Sequence, residues 1–256
     1  MSFRPVSVLS VEKHNDRLLY LTLEKPANLS FESGQFIRIG LALKDNPQTE
    51  DDFLVRPYSI ASRKESPKLE FYIARVINGE LSGQLFDLKE GDTVWVDEQA
   101  YGFMLPERLK AGGHLICFGT GTGVSGFLSV IRANAWKRFD RVTVIHCART
   151  ADDLTVTDKF MEAAQHQDQL DHFRFIRVTT QETNADKMGE VNERIPTAIE
   201  KGTLEALGVA LNPDEARVML CGNPQFVTTM KKVLKDKGFT APRGETLGTL
   251  VSENFW

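Results

Sequence analysis

The run Gly119-Thr120-Gly121-Thr122-Gly123-Val124-Ser125-Gly126 places small residues where a backbone can come close to a charged group. Read from Gly121 it matches G-x-G-x-x-G, and it stands between an apolar strand-like stretch and a helix-like one. Glycines in that setting let amide groups reach a pyrophosphate, whose charge the N-terminus of the next helix favours. The same run also suits a purely structural glycine-rich turn. A second candidate follows the apolar stretch 142–147, which runs into Ala148-Arg149. A nucleotide site selective for NAD carries an acid at this place, to hold the ribose 2′-hydroxyl. Arg149 suits a 2′-phosphate instead, and so NADP, although Asp152 and Asp153 follow closely. An ordinary solvated loop arginine would read the same way.

The elements that must hold these residues differ between the two halves of the chain. Over 4–98 there are short β-rich runs at 6–11, 18–24, 35–41, 58–61, 69–76 and 93–96, with one helical interlude at 82–88. Ser33-Gly34, Asn78-Gly79 and Gly91-Asp92 mark turns between them, which predicts a small antiparallel β-barrel. Beyond Pro106, apolar strands at 114–118, 142–147, 173–179 and 218–221 alternate with helices at 124–136, 158–165, 194–201 and 225–237. That alternation predicts an α/β doubly wound parallel sheet with its ligand site at the carboxyl ends of the strands. The stretch 102–113 reads as the linker, so the expected domains are 1–102 and 103–256.

Composition narrows the class. The chain has 256 residues, 41% hydrophobic and 26% charged, as expected of a soluble globular protein of two domains. Apolar stretches such as 115–118 fall far short of a bilayer span, and Met1-Ser2-Phe3-Arg4-Pro5 lacks a signal-peptide core. A net charge of −4 argues against general nucleic-acid binding. Cys117, Cys147 and Cys221 are odd in number and set in apolar runs, which suits buried thiols in a reducing cytoplasm. No Cys/His cluster suggests a metal, and the expectation is a cytoplasmic monomer that binds neither nucleic acid nor membrane.

Arg56-Pro57-Tyr58-Ser59 is unremarkable alone, but it stands in order with the glycine loop, with Cys221-Gly222-Asn223-Pro224 and with the aromatic end Phe255-Trp256. As an ordered set these resemble the ferredoxin–NADP reductase family, in particular its bacterial ferredoxin/flavodoxin–NADP reductases, over essentially the whole chain. The resemblance implies an FAD-binding barrel and an NADP(H)-binding second domain. It implies that Arg56 pairs with the FAD pyrophosphate, that Tyr58 stacks on the isoalloxazine, and that Ser59 bonds near N5, with Pro57 in the same strand. Tyr72, Ala74, Arg75 and Val76 would line the flavin. Gly79, Leu81 and Ser82 would open a helix toward the second phosphate, with Ser82 as cap. Gly119, Thr120, Gly121, Thr122 and Gly123 would hold the nicotinamide nucleotide, with Arg149 on its 2′-phosphate.

Similar proteins place the cysteine of the CGxP turn beside nicotinamide C4, which here implies Cys221, with Gly222 and Pro224 shaping the turn; a buried strand cysteine is the plainer reading. Phe255 would lie near the isoalloxazine and Trp256 on the adenine, or the assignment would be shifted by one residue. Ser59 and Glu253 are the candidates for handling protons. The chain departs from its relatives where a second arginine is expected: Thr180 stands there, and Arg194 could supply the charge from the next helix. The implied activity is an oxidoreductase of electron transport, a flavoprotein passing electrons between NADPH and a ferredoxin or flavodoxin. A diaphorase-type reductase with a small-molecule acceptor, or an electron-relay subunit of a larger complex, are the alternatives. Arg63, Lys64 and Lys68 would form a docking patch on the barrel, or a solvated face.

Overall fold

The structure, a computed structural model, describes residues 3–165 and 170–254. In the first half, period-two burial builds β1 (Phe3–Lys13), β2 (Leu18–Glu24), β3 (Phe36–Ala42), β4 (Phe53–Ser59), β5 (Lys68–Ala74) and β6 (Thr93–Asp97). They form one antiparallel sheet in the order β4-β3-β6-β1-β2-β5. Its ends meet where Ala61 N–H donates to the Glu70 carbonyl at 2.8 Å, which closes the barrel. Leu19, Leu21, Leu23, Ile37, Ile39, Phe71 and Ile73, all 0% exposed, fill the interior. α1 (Glu80–Leu85) adds Leu81 and Leu85 to the same core.

β4 starts well before the expected 58–61. Pro57 therefore lies inside the strand, which is tolerated because β4 ends the sheet and pairs with β3 alone, so no ladder partner needs the missing N–H.

The second half holds β7 (His114–Thr120), β8 (Arg141–Ala148), β9 (Phe173–Thr179), β10 (Ala216–Gly222) and β11 (Leu250–Asn254). All pair in parallel, in the order β11-β10-β7-β8-β9. Strands buried on both faces send alternate residues to two apolar layers. Leu115 and Cys117 of β7 join the layer that holds Phe127 of α2 (Ser125–Arg132) and Phe160 of α3 (Val156–Gln165). Ile116 and Phe118 join the layer that holds Ala198 of α4 (Ile195–Glu200), Leu204 of α5 (Thr203–Ala206) and Met230 of α6 (Pro224–Asp236). β11 is an element that the sequence pattern did not announce.

The halves are packed against each other through α2. Arg132 Nη1 donates to Tyr20 Oη at 3.1 Å, the Ala61 carbonyl at 3.2 Å and Glu70 Oε2 at 2.9 Å. One turn earlier, Ser129 Oγ donates to the Ser62 carbonyl at 2.8 Å. Tyr20, Ala61 and Tyr72 of the barrel share an apolar cluster with Phe127 and Leu128 of α2. Among the described residues no helix is long and apolar enough to cross a membrane, and no group of three or more His, Cys, Asp or Glu could hold a metal.

Candidate active site

β7 ends at Thr120, and the chain turns through a 3₁₀ segment, Gly121–Val124, into α2. Two side chains tie the carbonyls of this turn inward. Ser125 Oγ donates to the Thr122 carbonyl at 2.8 Å. His146 Nε2, buried in β8, donates to the Gly121 carbonyl at 3.0 Å. Burial pulls the His146 ring down to about 4, so it is neutral near pH 7 and Nε2 carries the proton that the carbonyl requires. The Ser125 N–H at the head of α2 donates to the Thr122 carbonyl, so the turn is closed by its own backbone as well as by these side chains.

A Cβ on Gly123 would lie 2.9 Å from both the Cα and the N of Gly222, so only hydrogen fits between the two turns. Thr120 Oγ1 accepts the Asn223 N–H at 3.2 Å, and the Asn223 side chain caps α6 by accepting from Phe226 N–H at 2.9 Å. The glycine loop and the Cys221–Pro224 turn are thus one packed unit at the carboxyl ends of β7 and β10.

Arg149 follows β8 and is exposed. The acids near it are engaged elsewhere: Asp152 with Lys187 at 3.3 Å and Asp153 with Arg17 at 3.0 Å. Thr180 spends its hydroxyl on the Ala148 carbonyl at 3.3 Å. Arg194, exposed at the N-terminus of α4, lies near enough to Cys147 to oppose the burial that pushes this thiol up to about 11. Two guanidinium groups therefore flank the end of β8.

At the junction of the halves, Cys221 stands opposite Glu253 in the β10–β11 ladder. Burial holds the Cys221 thiol far above its ordinary value, and the neighbouring Glu253 carboxylate acts in the same direction. Burial also pushes Glu253 up to about 7, opposed by the bonded Phe103 N–H. Gly102, at φ +111°, makes room for this carboxyl, since a Cβ there would lie 2.8 Å from Glu253 Oε1 and 3.1 Å from the Phe36 ring. Phe36 is in turn the cross-strand neighbour of Ser59. Ser59 Oγ and Glu253 Oε2 are both buried, and neither has a hydrogen-bond partner among the described residues. Two orphaned buried polar atoms, one of them opposite the Cys221 thiol, suit a ligand that carries donors and acceptors.

The remaining expected residues divide. Arg56 is exposed, with its guanidinium resting on the Val55 carbonyl at 2.6 Å. Tyr58 is half-buried, and burial raises its hydroxyl. Ala74 is half-buried at the end of β5, Arg75 lies 5.4 Å over the Phe86 ring, and Val76 is exposed.

Two expectations need correction. Tyr72 is only 2% exposed, stacked on His14 at 5.5 Å and edge-on to Tyr20 at 4.8 Å, so it belongs to the contact between the halves and offers no open face. Ser82 does not cap α1: Gly79 holds that position, and Ser82 Oγ, one turn inside, accepts the Val76 N–H at 3.0 Å. Leu81 is core, so only its backbone could meet a ligand. Phe255 and Trp256 lie outside the described residues. Sequence reasoning missed His146, Phe36 and Gly102; of these only Gly102, at the start of the linker, gave a signal.

Comparison with known proteins agrees with this arrangement. The family model for oxidoreductase FAD-binding domains matches residues 5–98, and that for oxidoreductase NAD-binding domains matches 116–232. The chain is 33% identical over 252 residues to a flavodoxin/ferredoxin–NADP reductase of Shigella flexneri, covering 97% of each. It is 32% identical over 253 residues to a ferredoxin–NADP reductase of Azotobacter vinelandii, covering 97% of this chain and 96% of that one. A ferredoxin NADP+ reductase from Neisseria gonorrhoeae, solved with bound FAD and NADP, superposes with a TM-score of 0.87 at 30% identity over the full length of both. With the fold, the two packed turns and the full-length likeness in agreement, the chain belongs to the ferredoxin/flavodoxin–NADP reductase family.

Proposed function

We propose that the protein is an FAD-dependent reductase that moves electrons between NADPH and a one-electron carrier of the ferredoxin or flavodoxin kind. The observation that carries this is the pairing of Cys221 with Glu253 beside Gly102 and Phe36, the cross-strand neighbour of Ser59, with the buried Ser59 Oγ and Glu253 Oε2 lacking partners among the described residues. Residues 1–102 form the FAD-binding domain and 103–256 the NADP-binding domain. FAD, when bound, supplies hydride acceptance and single-electron release, which no side chain provides.

The chain's own residues bind, orient and exclude water. Arg56, exposed and multi-donor, pairs with the pyrophosphate of FAD, and Tyr58 offers its ring face to the flavin. Ser59 donates its hydroxyl hydrogen bond at the flavin edge. Glu253, titrating near neutrality, gives or takes a proton there. Cys221, held as a neutral thiol, shapes the nicotinamide position and is no covalent nucleophile. The amides of 119–123 hold the NADPH pyrophosphate, and Arg149 with Arg194 holds its 2′-phosphate.

The test is the absorption spectrum of the purified protein, followed by NADPH-driven cytochrome c reduction with and without flavodoxin. Bound FAD and strong dependence on flavodoxin are expected. A colourless protein that cannot be reconstituted with FAD overturns the reading. Fast reduction that ignores the carrier replaces it with a small-molecule reductase.

A further inference from the structure

The β1–β2 hairpin of the barrel reaches across to the loop that carries Arg149, with Asn15-Asp16-Arg17 at its tip. Asn15 Oδ1 accepts the Arg17 and Leu18 N–H groups at 2.8 and 2.9 Å, which fixes the side chain within the turn. The amide end of the same side chain faces the other half, where Nδ2 donates to the Asp152 carbonyl at 2.9 Å. Arg17 Nη2 pairs with Asp153 Oδ1 at 3.0 Å, and the Asp153 side chain is only 14% exposed. Beside them His14 stacks on Tyr72 at 5.5 Å, so the hairpin is held to the contact between the halves.

The nucleotide-binding half holds the same loop from its own side. The Thr180 and Gln181 N–H groups donate to the Arg149 carbonyl at 3.2 and 2.8 Å, and the Ala151 N–H donates to Glu182 Oε2 at 3.0 Å. Lys187 pairs with Asp152, but both side chains are more than half exposed, so water and salt screen that pair. Asp153 is then the acid whose charge counts. It closes the single 3₁₀ turn, Ala151–Asp153, that follows Arg149. A free carboxylate after this strand would favour a ribose 2′-hydroxyl over a 2′-phosphate. Arg17 opposes that charge from the barrel, and its own carbonyl accepts the Arg75 N–H at 2.8 Å, just past the end of β5.

We infer that coenzyme selectivity is set in part from the flavin-binding half: Asn15 and Arg17 are positioning residues that clasp the loop after Arg149 and neutralise Asp153, so that the loop accepts a 2′-phosphate. They act through Asp152 and Asp153, not by contact with the coenzyme. The inference rests on the reading of Arg149 given above and adds the residues that hold its loop in place. Loss of the clasp returns Asp153 to the loop as a free acid, which counts against NADPH and not against NADH.

The experiment measures kcat and KM for NADPH and for NADH, with ferricyanide as acceptor, in the unaltered holoenzyme and in Arg17→Gln, Arg17→Lys and Asn15→Asp. Asn15→Asp keeps the oxygen that closes the hairpin turn and loses the Nδ2 donor, so it removes the clasp and spares the turn. In Arg17→Gln and Asn15→Asp the preference for NADPH over NADH should fall about fivefold or more. The fall should come from a higher KM for NADPH at a near-parent kcat, with no rise in KM for NADH. Arg17→Lys, which keeps the charge, should keep the preference. An unchanged preference in Arg17→Gln and Asn15→Asp, or equal losses with both coenzymes, overturns the inference alone when Arg149→Ala is selective against NADPH. Equal losses with both coenzymes in Arg149→Ala overturn the 2′-phosphate reading on which it rests.

Discussion

Cys221 and Glu253 face each other across the β10–β11 ladder, one near the end of an internal strand and one in the last strand of the described chain. The Glu253 carboxylate makes the Cys221 thiol harder to ionise, and burial does so for both. The carboxyl, held at about 7, divides between its two protonation states at neutral pH, while the thiol stays protonated. A proton is therefore available at Glu253 and not at Cys221.

Stability should record this. The ordinary value for Glu253 is 4.5 and the folded one about 7, so between these the unfolded chain has released a proton that the folded chain keeps. Stability from this group is unaffected below about 4.5, falls as pH rises toward 7, and is level above that. Glu253→Gln should remove that decline, as read from the melting temperature of the apoprotein against pH. It should also remove an inflection near pH 7 from NADPH–ferricyanide turnover. A variant with the parent's pH profile in both measurements would assign the titration elsewhere.

Arg149→Ala should weaken NADPH and leave NADH nearly unchanged. A charge-assisted hydrogen bond contributes about 1.5–3 kcal/mol, or about 10- to 100-fold in affinity. Steady-state KM values for both coenzymes decide it, and equal losses would remove Arg149 from the 2′-phosphate site.

Gly123→Ala should separate the glycine loop from the Cys221–Pro224 turn, because the new methyl would lie 2.9 Å from Gly222 backbone atoms that cannot yield. Overpacking of this kind costs about 1–3 kcal/mol. Flavin reduction by NADPH, followed by stopped flow, should slow sharply while FAD content stays at the parent level. Parent-like reduction would show that the two turns act independently.

Arg132→Ala removes three hydrogen bonds between the halves and leaves Glu70 without its ion pair. The pair is about one quarter exposed, so a loss of about 1–3 kcal/mol is expected, or roughly 2–4 °C in Tm per kcal/mol. Calorimetry checks it, and an unchanged Tm would mean that the apolar cluster alone holds the halves together.

The features legible in the sequence were those that local backbone chemistry writes down. The glycine loop and the strands other than β11 follow from residue spacing alone, and so does the position of Arg149 just after β8. β11 was hidden because Leu250-Val251-Ser252-Glu253-Asn254 has only two apolar residues, and pairing with β10 makes it a strand. Tyr72 was misplaced for a related reason. Period-two alternation turns it outward from the barrel with Tyr20, but no pattern says whether the outward face meets water, a cofactor or another domain. Ser82 failed as a cap because Gly79 already occupies that position three residues before the expected helix start. His146 gave no signal, since its hydrogen bond runs to a carbonyl 25 residues away.

α2 carries the glycine loop at one end and the Arg132 anchor at the other, a span of eight residues from Ser125. At about 1.5 Å per residue it acts as a gauge block between the coenzyme and the barrel. One residue inserted or deleted within it would swing Arg132 by about 100° around the helix axis, away from Tyr20 and Glu70. Loops elsewhere can lengthen or shorten without touching that spacing. Length variation in this architecture should therefore collect around α2 and spare it, because its residue count sets both the separation and the angular phase of the two binding halves.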